Sequence, residues 1–400
     1  MNKTSFKVSD LGEKELIDRI ISRNSKCSSF SNNFDFNDFK TNIGDDSALI
    51  NHNLANNSYI VASSDMLIQS THFPKEMSYY QMGYKSVVVN VSDLAAMGAK
   101  PIGFLLNLAI PNDLNLDDFD ELICGVTSAC ADYHIPLVGG DTNEANEIII
   151  SATAMGSVQK DEVLMKYGFN PGDLICITGE IGLAALGFEI LCNDKKLEIA
   201  KSIDSSFVDL ALFKSLKPKA CLKESFILSK YNYNLSSKDN CNINSRIACT
   251  DITDGVASEL YEILKADKQY YLNNINNTNN VPKVSNEFNL EDASKCCRDS
   301  FEPYSKGILL YEDKLPIEDE FKEISSAIGS NYFDLIFHVG EDFELLFTIP
   351  KEIADSLKED LDFFVIGEVI NSEDNSVELL DSEGKTVVIK SKGYEHLSSS

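Results

Sequence analysis

Two rhythms of apolar and polar positions run along the chain. From Tyr84 to Pro101 the residues read Tyr-Lys-Ser-Val-Val-Val-Asn-Val-Ser-Asp-Leu-Ala-Ala-Met-Gly-Ala-Lys-Pro, which predicts an almost wholly apolar helix over Tyr79 to Met97. Tyr59-Ile-Val-Ala-Ser predicts a strand ending at Ser64-Asp65, and Phe104 to Ile110 another. Leu116 to Tyr133 has helical spacing. Pro136 to Asp141 reads as a strand running into a glycine turn, and Glu147 to Val158 as a long strand. Asn170-Pro-Gly-Asp173 marks a turn with a domain boundary just before it. Beyond it, Leu174 to Gly179, Phe343 to Ile349 and Phe363 to Val369 read as strands, and Ile181 to Cys192 and Gly255 to Ala266 as helices. The mixed order predicts an α/β (α+β) fold of two domains, residues 1–160 and 161–400, consistent with a chain of 400 residues. Residues 24–40, 231–245 and 267–303 are rich in Asn and Ser and read as insertions without chemistry.

One position breaks the apolar helix. Asp93 is a carboxylate flanked by Val87, Val88, Val89, Val91, Leu94, Ala95 and Ala96, and burying it is costly unless a cation meets it. Asn90 lies three residues earlier, on the same face. Other Asp residues stand where elements are expected to end: Asp45 and Asp46, Asp65, Asp141, Asp251 and Asp254. Any one of them fits a turn, and Thr253 with Asp254 fits a helix cap. As a set, converging carboxylates repel each other without cations, which points to hard oxygen-seeking ions, Mg²⁺ beside phosphates being the usual case.

Charge narrows the partners. With 35 basic and 63 acidic residues the formal net charge is -28, which argues against nucleic acid and anionic membranes. An anionic substrate could bind only through metal ions or backbone N–H groups. The first ten residues have no apolar core of a secretory leader, and no apolar run has the length of a membrane span, so neither is expected. Cys124, Cys130, Cys176 and Cys249 sit singly in apolar segments and read as reduced core thiols of a cytoplasmic protein. The histidines His52, His72, His134, His338 and His396 lack zinc spacing, and there is no Walker A, G-x-S-x-G or kinase catalytic loop.

At these residues the chain resembles the thiamine-monophosphate kinase family, in the superfamily of aminoimidazole ribonucleotide synthetase, selenophosphate synthetase and the hydrogenase-maturation dehydratase. The matching segments are Ile43-Gly-Asp-Asp-Ser-Ala-Leu, Ser63-Ser-Asp-Met-Leu with Thr71-His-Phe, and Asn90-Val-Ser-Asp-Leu-Ala-Ala-Met-Gly-Ala. They continue with Val138-Gly-Gly-Asp-Thr, Pro171-Gly-Asp followed by Ile-Thr-Gly, Asp251-Ile-Thr-Asp-Gly, Gly340-Glu-Asp-Phe-Glu-Leu and Lys392-Gly-Tyr-Glu-His. The ordered set spans residues 43–396.

The resemblance implies a synthetase-like fold of two α/β domains, a homodimer paired through the N-terminal domains, and an active site in the cleft between domains. It implies ATP-dependent phosphorylation of thiamine monophosphate to thiamine diphosphate. Asp45, Ser63, Ser64, Asp65, Asp93, Asp141, Asp251 and Asp254 would hold several Mg²⁺ ions. Gly140, Asp141, Lys166 and Thr253 would meet ATP, and His72, Glu341 and Tyr394 would face thiamine monophosphate. Two positions depart from the family: Lys166 stands where Arg is frequent, losing the bidentate fork, and Ser391 where some relatives carry an aromatic. No general base is implied. The acceptor is a phosphate monoester whose second pKa is near ~6, so it is already largely ionised at neutral pH. Two alternatives stand beside this reading. A selenophosphate synthetase-like enzyme would need a glycine-rich loop around Lys26-Cys27, which the sequence lacks; a non-catalytic nucleotide-binding relative would bind ATP without transfer.

Overall fold

The computed structural model describes residues 47–51, 57–238, 246–278 and 304–391. Two α/β units follow each other along the chain. The first carries a five-stranded sheet in the order β1-β2-β5-β3-β4: β1 Ala48–Asn51, β2 Ser58–Ile68, β3 Lys100–Ile110, β4 Leu137–Glu144 and β5 Ile149–Gln159. A helical turn α1 (Gln69–His72) follows β2, and helices α2 (Tyr79–Ala96) and α3 (Leu116–Asp132) cover one face. The second unit has a seven-stranded mixed sheet, order β12-β11-β8-β10-β6-β9-β7. Its strands are β6 Leu174–Ile177, β7 Cys249–Asp251, β8 Lys306–Tyr311, β9 Leu345–Ile349, β10 Phe364–Asn371, β11 Val377–Leu380 and β12 Thr386–Val388. Its helices are α4 (Leu183–Leu191), α5 (Asp194–Ile203), α6 (Ser205–Leu216), α7 (Leu222–Lys238), α8 (Val256–Thr278), α9 (Asp319–Ala327), α10 (Tyr332–His338) and α11 (Lys351–Lys358). None of the helices among the described residues is long and apolar enough to cross a membrane.

Helix α2 is the axis of the first unit. Ser78 starts it with a capping box, its hydroxyl accepting from the Gln81 N–H at 3.2 Å while Gln81 Oε1 accepts the Ser78 N–H at 2.9 Å. Gly98, at φ +70°, ends it, with the Ala99 N–H returning to the Leu94 carbonyl at 2.8 Å. Thirteen of its residues are buried, so it is enclosed on nearly all sides, as its pattern predicts. Glycines let α3 approach closely: a Cβ at Gly83 would lie 2.0 Å from the Leu122 carbonyl oxygen, and one at Gly125 1.9 Å from that of Tyr80.

The far end of α2 belongs to both units. Ala95 and Ala96 join an apolar cluster with Cys176, Leu228, Cys249, Leu345 and Phe347 of the second unit. Ser225 of α7 donates its hydroxyl to the Ala95 carbonyl.

Several sequence expectations are corrected. β2 continues through Ser64-Asp65 to Ile68, because its register with β5 holds along its whole length. The two glycines expected to turn, Gly139 and Gly140, lie inside β4; a Cβ on Gly140 would meet the Leu106 carbonyl oxygen at 1.7 Å, so the strand pairs there only as glycine. Residues 231–238 and 267–278, read as insertions, continue α7 and α8. Asn232 there is buried, its amide donating to the Val163 carbonyl at 2.9 Å and accepting from the Ile247 N–H at 3.1 Å. α5 and α6 have no counterpart in the sequence reading. Cys124 is exposed on α3, whereas Cys130, Cys176 and Cys249 are buried. Residues 24–40 lie outside the described residues.

The close glycine contact gives a stability prediction. Gly83→Ala should lower the unfolding free energy in urea by about 3 kcal/mol or more, because two helix backbones must part. Gly172→Ala has open space around it, and its φ of +97° alone should cost about 1 kcal/mol. Equal losses for the two variants would refute this account of the helix contact.

Candidate active site

The last turns of α2 place side chains against both units at once. On one side is β2, whose pleat turns Ser63, Asp65 and Leu67 toward the helices and Ser64 and Met66 away. Ser63 donates its hydroxyl to the Asp93 carboxylate. The Asp65 N–H donates to Asn90 Oδ1 at 3.2 Å, and the Asn90 amide returns to the Ser86 carbonyl at 3.0 Å. The carboxyl groups of Asp65 and Asp93 lie close enough to act on each other. Burial pushes the Asp65 pKa up, and the contact with Asp93 offsets part of that rise.

On the other side is β7. Ser92, one residue before Asp93, donates its hydroxyl to the buried Asp251. Lys166 is buried near the same strand: Met165 pairs with Ala248, and the Cys249 N–H donates to the Met165 carbonyl at 2.9 Å.

The donor set fits a cation. Two neighbouring carboxylates repel each other unless a proton or a metal ion stands between their charges. Asp93 also sits in the last turn of its helix, where the backbone dipole opposes a negative charge. A hard ion taking oxygen from Asp65, Asp93 and Ser63 would relieve both costs. Among the described residues, though, no three His, Cys, Asp or Glu side chains converge tightly enough to hold one ion.

The other expected site residues are spread around this centre. Ser64 turns its hydroxyl to the opposite face of β2, meeting the Ala152 carbonyl and Thr153 Oγ1, each at 2.9 Å. Asp141 is exposed on β4, its carboxylate accepting the Thr142 N–H at 2.9 Å. It is in register with Asn107, on the face away from Asp65, with β5 and β3 between, so this chain alone does not bring Asp65 and Asp141 together. Thr253 and Asp254 lead into α8; Glu259 accepts the Asp254 N–H at 3.2 Å and meets the Thr253 hydroxyl at 3.4 Å, so both residues take part in capping the helix. Asp45 and Tyr394 lie outside the described residues.

A second focus involves the segment after α10. Gly340 passes so near residue 253 that a Cβ would lie 1.7 Å from the Thr253 carbonyl oxygen. The Glu341 N–H donates to that same oxygen at 2.9 Å, and the Phe343 N–H to the Ile252 carbonyl at 3.0 Å. Glu341 and Phe343 adopt φ values of +67° and +53°, uncommon for residues with side chains and held here by these bonds. Glu341 is reached by Lys85 of α2, Nζ to Oε2 at 2.5 Å, and Lys85 also donates to the His72 carbonyl at 3.1 Å. His72 Nδ1 lies 2.9 Å from the Ile68 N–H and 3.3 Å from the Ile68 carbonyl oxygen.

Lys85, Ser92, Asp342 and Glu344 were missed by the sequence reading. Asp342 accepts the Gly182 N–H at 2.9 Å at the start of α4, and burial pushes its pKa to about 7. Glu344 accepts from the Thr178 hydroxyl at 2.7 Å and the Cys221 thiol at 3.2 Å, with Lys214 at 3.5 Å. The signal was available in Gly340-Glu-Asp-Phe-Glu-Leu, where three carboxylates precede an apolar strand.

Comparison with known proteins places this arrangement. Residues 44–158 match the family described as AIR synthase related protein, N-terminal domain. The thiamine-monophosphate kinase of Pyrococcus abyssi is 31% identical over 355 residues, covering 89% of this chain and 90% of its own length. That of Buchnera aphidicola subsp. Acyrthosiphon pisum is 31% identical over 391 residues, covering 96% and 98%. Among solved structures, AaThiL complexed with AMPPCP and TMP superposes with a TM-score of 0.70 at 24% identity, covering 98% of this chain and 100% of that one, a likeness of fold. Identity at this level along nearly the whole length of both chains shows that this chain belongs to the thiamine-monophosphate kinase family.

Proposed function

We propose that the protein transfers the γ-phosphoryl group of ATP to thiamine monophosphate, giving thiamine diphosphate and ADP. The observation that carries this reading is the Asp65–Asp93 carboxylate pair at the end of α2, in a chain that matches thiamine-monophosphate kinases over nearly its full length. A chain with net charge -28 can gather two polyanions only where it also gathers cations. Asp45, Ser63, Asp65, Asp93, Asp251 and Asp254 are the residues that would hold magnesium; Ser64 and Asp141, on the opposite face of the first sheet, would join them only across a paired first unit. When bound, the ions would supply charge neutralisation and alignment of the phosphates.

The protein's own groups account for the rest of the chemistry. The attacking atom is a terminal oxygen of the substrate phosphate, already largely ionised at neutral pH, so no side chain has to remove a proton from it. His72 offers its imidazole, and Glu341 a carboxylate, toward the thiamine moiety. Gly140, Asp141, Lys166 and Thr253 are assigned to ATP, and Tyr394 to the substrate. The closing of the site around two phosphate esters then acts chiefly by positioning.

Assembly and location belong to the same reading. The open edge of β4 and the exposed Met66, Ile102, Leu137 and Val138 on its sheet favour a homodimer paired through the first units. Such pairing covers an apolar sheet face that a lone chain leaves in water. The buried thiols of Cys130, Cys176 and Cys221 suit a reducing, cytoplasmic setting.

Two outcomes are expected. With ATP, Mg²⁺ and thiamine monophosphate, chromatography should show thiamine diphosphate and ADP forming in equal amounts, and a chelator should abolish both. ATP binding without product would instead favour the non-catalytic alternative. Asp93→Asn and Asp141→Asn should each lower kcat on the order of 100-fold. In chelator, Asp93→Asn should leave Tm unchanged or raise it, since it removes a charge opposed by its neighbour and its helix. Undiminished turnover in either variant would refute the metal-site assignment.

A further inference from the structure

Lys85 is a cation buried in the apolar half of α2, with no exposed side-chain surface. Burying an ammonium is unfavourable unless each of its donors is met. Its partners come from both units. From the first unit it meets the His72 carbonyl at 3.1 Å and the Phe73 ring at 5.9 Å. From the second it meets Glu341 Oε2 at 2.5 Å and the Phe188 ring, on α4, at 5.4 Å. One ammonium thus ties the backbone of His72 to the side chain of Glu341, residues 269 positions apart in the sequence.

The Glu341 end shows why such a tie has a use. Lys85 takes only one of its carboxylate oxygens; among the described residues Oε1 has no hydrogen-bond donor, and the side chain is 32% exposed. The backbone there is held at φ +67°. A carboxylate clamped at one oxygen and open at the other is set to accept a hydrogen bond, or to face a positive charge, from a ligand. The thiamine moiety offers both, an aromatic amine and a thiazolium ring.

We infer that Lys85 is a positioning residue for the phosphate acceptor: it fixes Glu341 and His72 relative to each other across the boundary between the units, so that the cationic, amine-bearing heterocycle is recognised only when the units are apposed. The inference rests on the proposed kinase reading. It assigns Lys85 no contact with the substrate and no part in the phosphoryl transfer. Its removal should therefore weaken acceptor binding and leave ATP binding alone.

The test is a kinetic cycle of wild type, Lys85→Met, Glu341→Gln and the double variant, each assayed with ATP and thiamine monophosphate varied separately. Lys85→Met keeps the length and burial of the stem and removes the charge. The expected result is a KM for thiamine monophosphate raised on the order of tenfold or more, with the KM for ATP within about twofold of wild type. Lys85→Met should add nothing further in the Glu341→Gln background, because Lys85 acts through Glu341. Should Lys85→Met alone fail to fold, the double variant, in which both charges are gone, is compared with Glu341→Gln, in which the buried ammonium faces a neutral amide; equal KM values for thiamine monophosphate in the two are the expected result. Independent, additive effects, or a lowered Tm with both KM values unchanged, would overturn the inference. Absence of turnover in wild type would instead overturn the kinase reading beneath it.

Discussion

A carboxylate near the end of a buried helix is opposed by its surroundings and by the helix itself. Asp93 meets both penalties and adds a third, the neighbouring carboxyl of Asp65. The rest of the structure is arranged around that cost. The capping box at Ser78 and the left-handed Gly98 fix where α2 starts and stops. Glycines at 83 and 125 bring α3 against it. Ser63 and Ser92 then hold the carboxylates of Asp93 and Asp251 about its last turns, and Asn90 holds the backbone of Asp65 beside them. A protein built for an uncharged ligand would gain stability by replacing these residues with apolar ones. Their presence is intelligible where cations and phosphates complete the set.

The same helix joins recognition to reaction. Lys85 lies two turns before Asp93, near the helical period that returns a side chain to the same side. One end of α2 thereby carries Asp93 between Asp65 and Asp251, and its middle meets Glu341 and the His72 carbonyl. Both foci are made from residues of both units, and the loops they use are sewn to each other: Thr253 beside Gly340 and Glu341, Ile252 beside Phe343 and Glu344. A shift of one unit against the other would disturb the acidic cluster and the Lys85–Glu341 pair together.

Helix α2 was legible in the sequence because burial on all sides leaves an unbroken apolar record, and Asp93 stood out against it. Lys85 lies in the same record and was passed over, although the reasoning that marks a buried carboxylate applies equally to a buried ammonium. β4 was misread because paired glycines ordinarily turn a chain; here they let a strand lie flat against the Leu106 carbonyl. The polar face of α7 hid a helix whose Asn232 bridges Val163 and Ile247, since composition does not reveal which amides find partners. Ser64 and Asp141 were readable as candidates, but their placement on the opposite face of the sheet depends on strand register, which spacing alone does not give.

The Lys85–Glu341 pair also orders events during synthesis. The two residues are separated by 256 positions. At a translation rate of about 5–20 residues per second, Lys85 waits roughly 10–50 s on the ribosome before its carboxylate is made. Through that interval the first unit holds an ammonium that has no place in an apolar interior, beside Ala95 and Ala96 that have no second unit to cover them. The N-terminal half therefore completes its packing only once the second unit has been made.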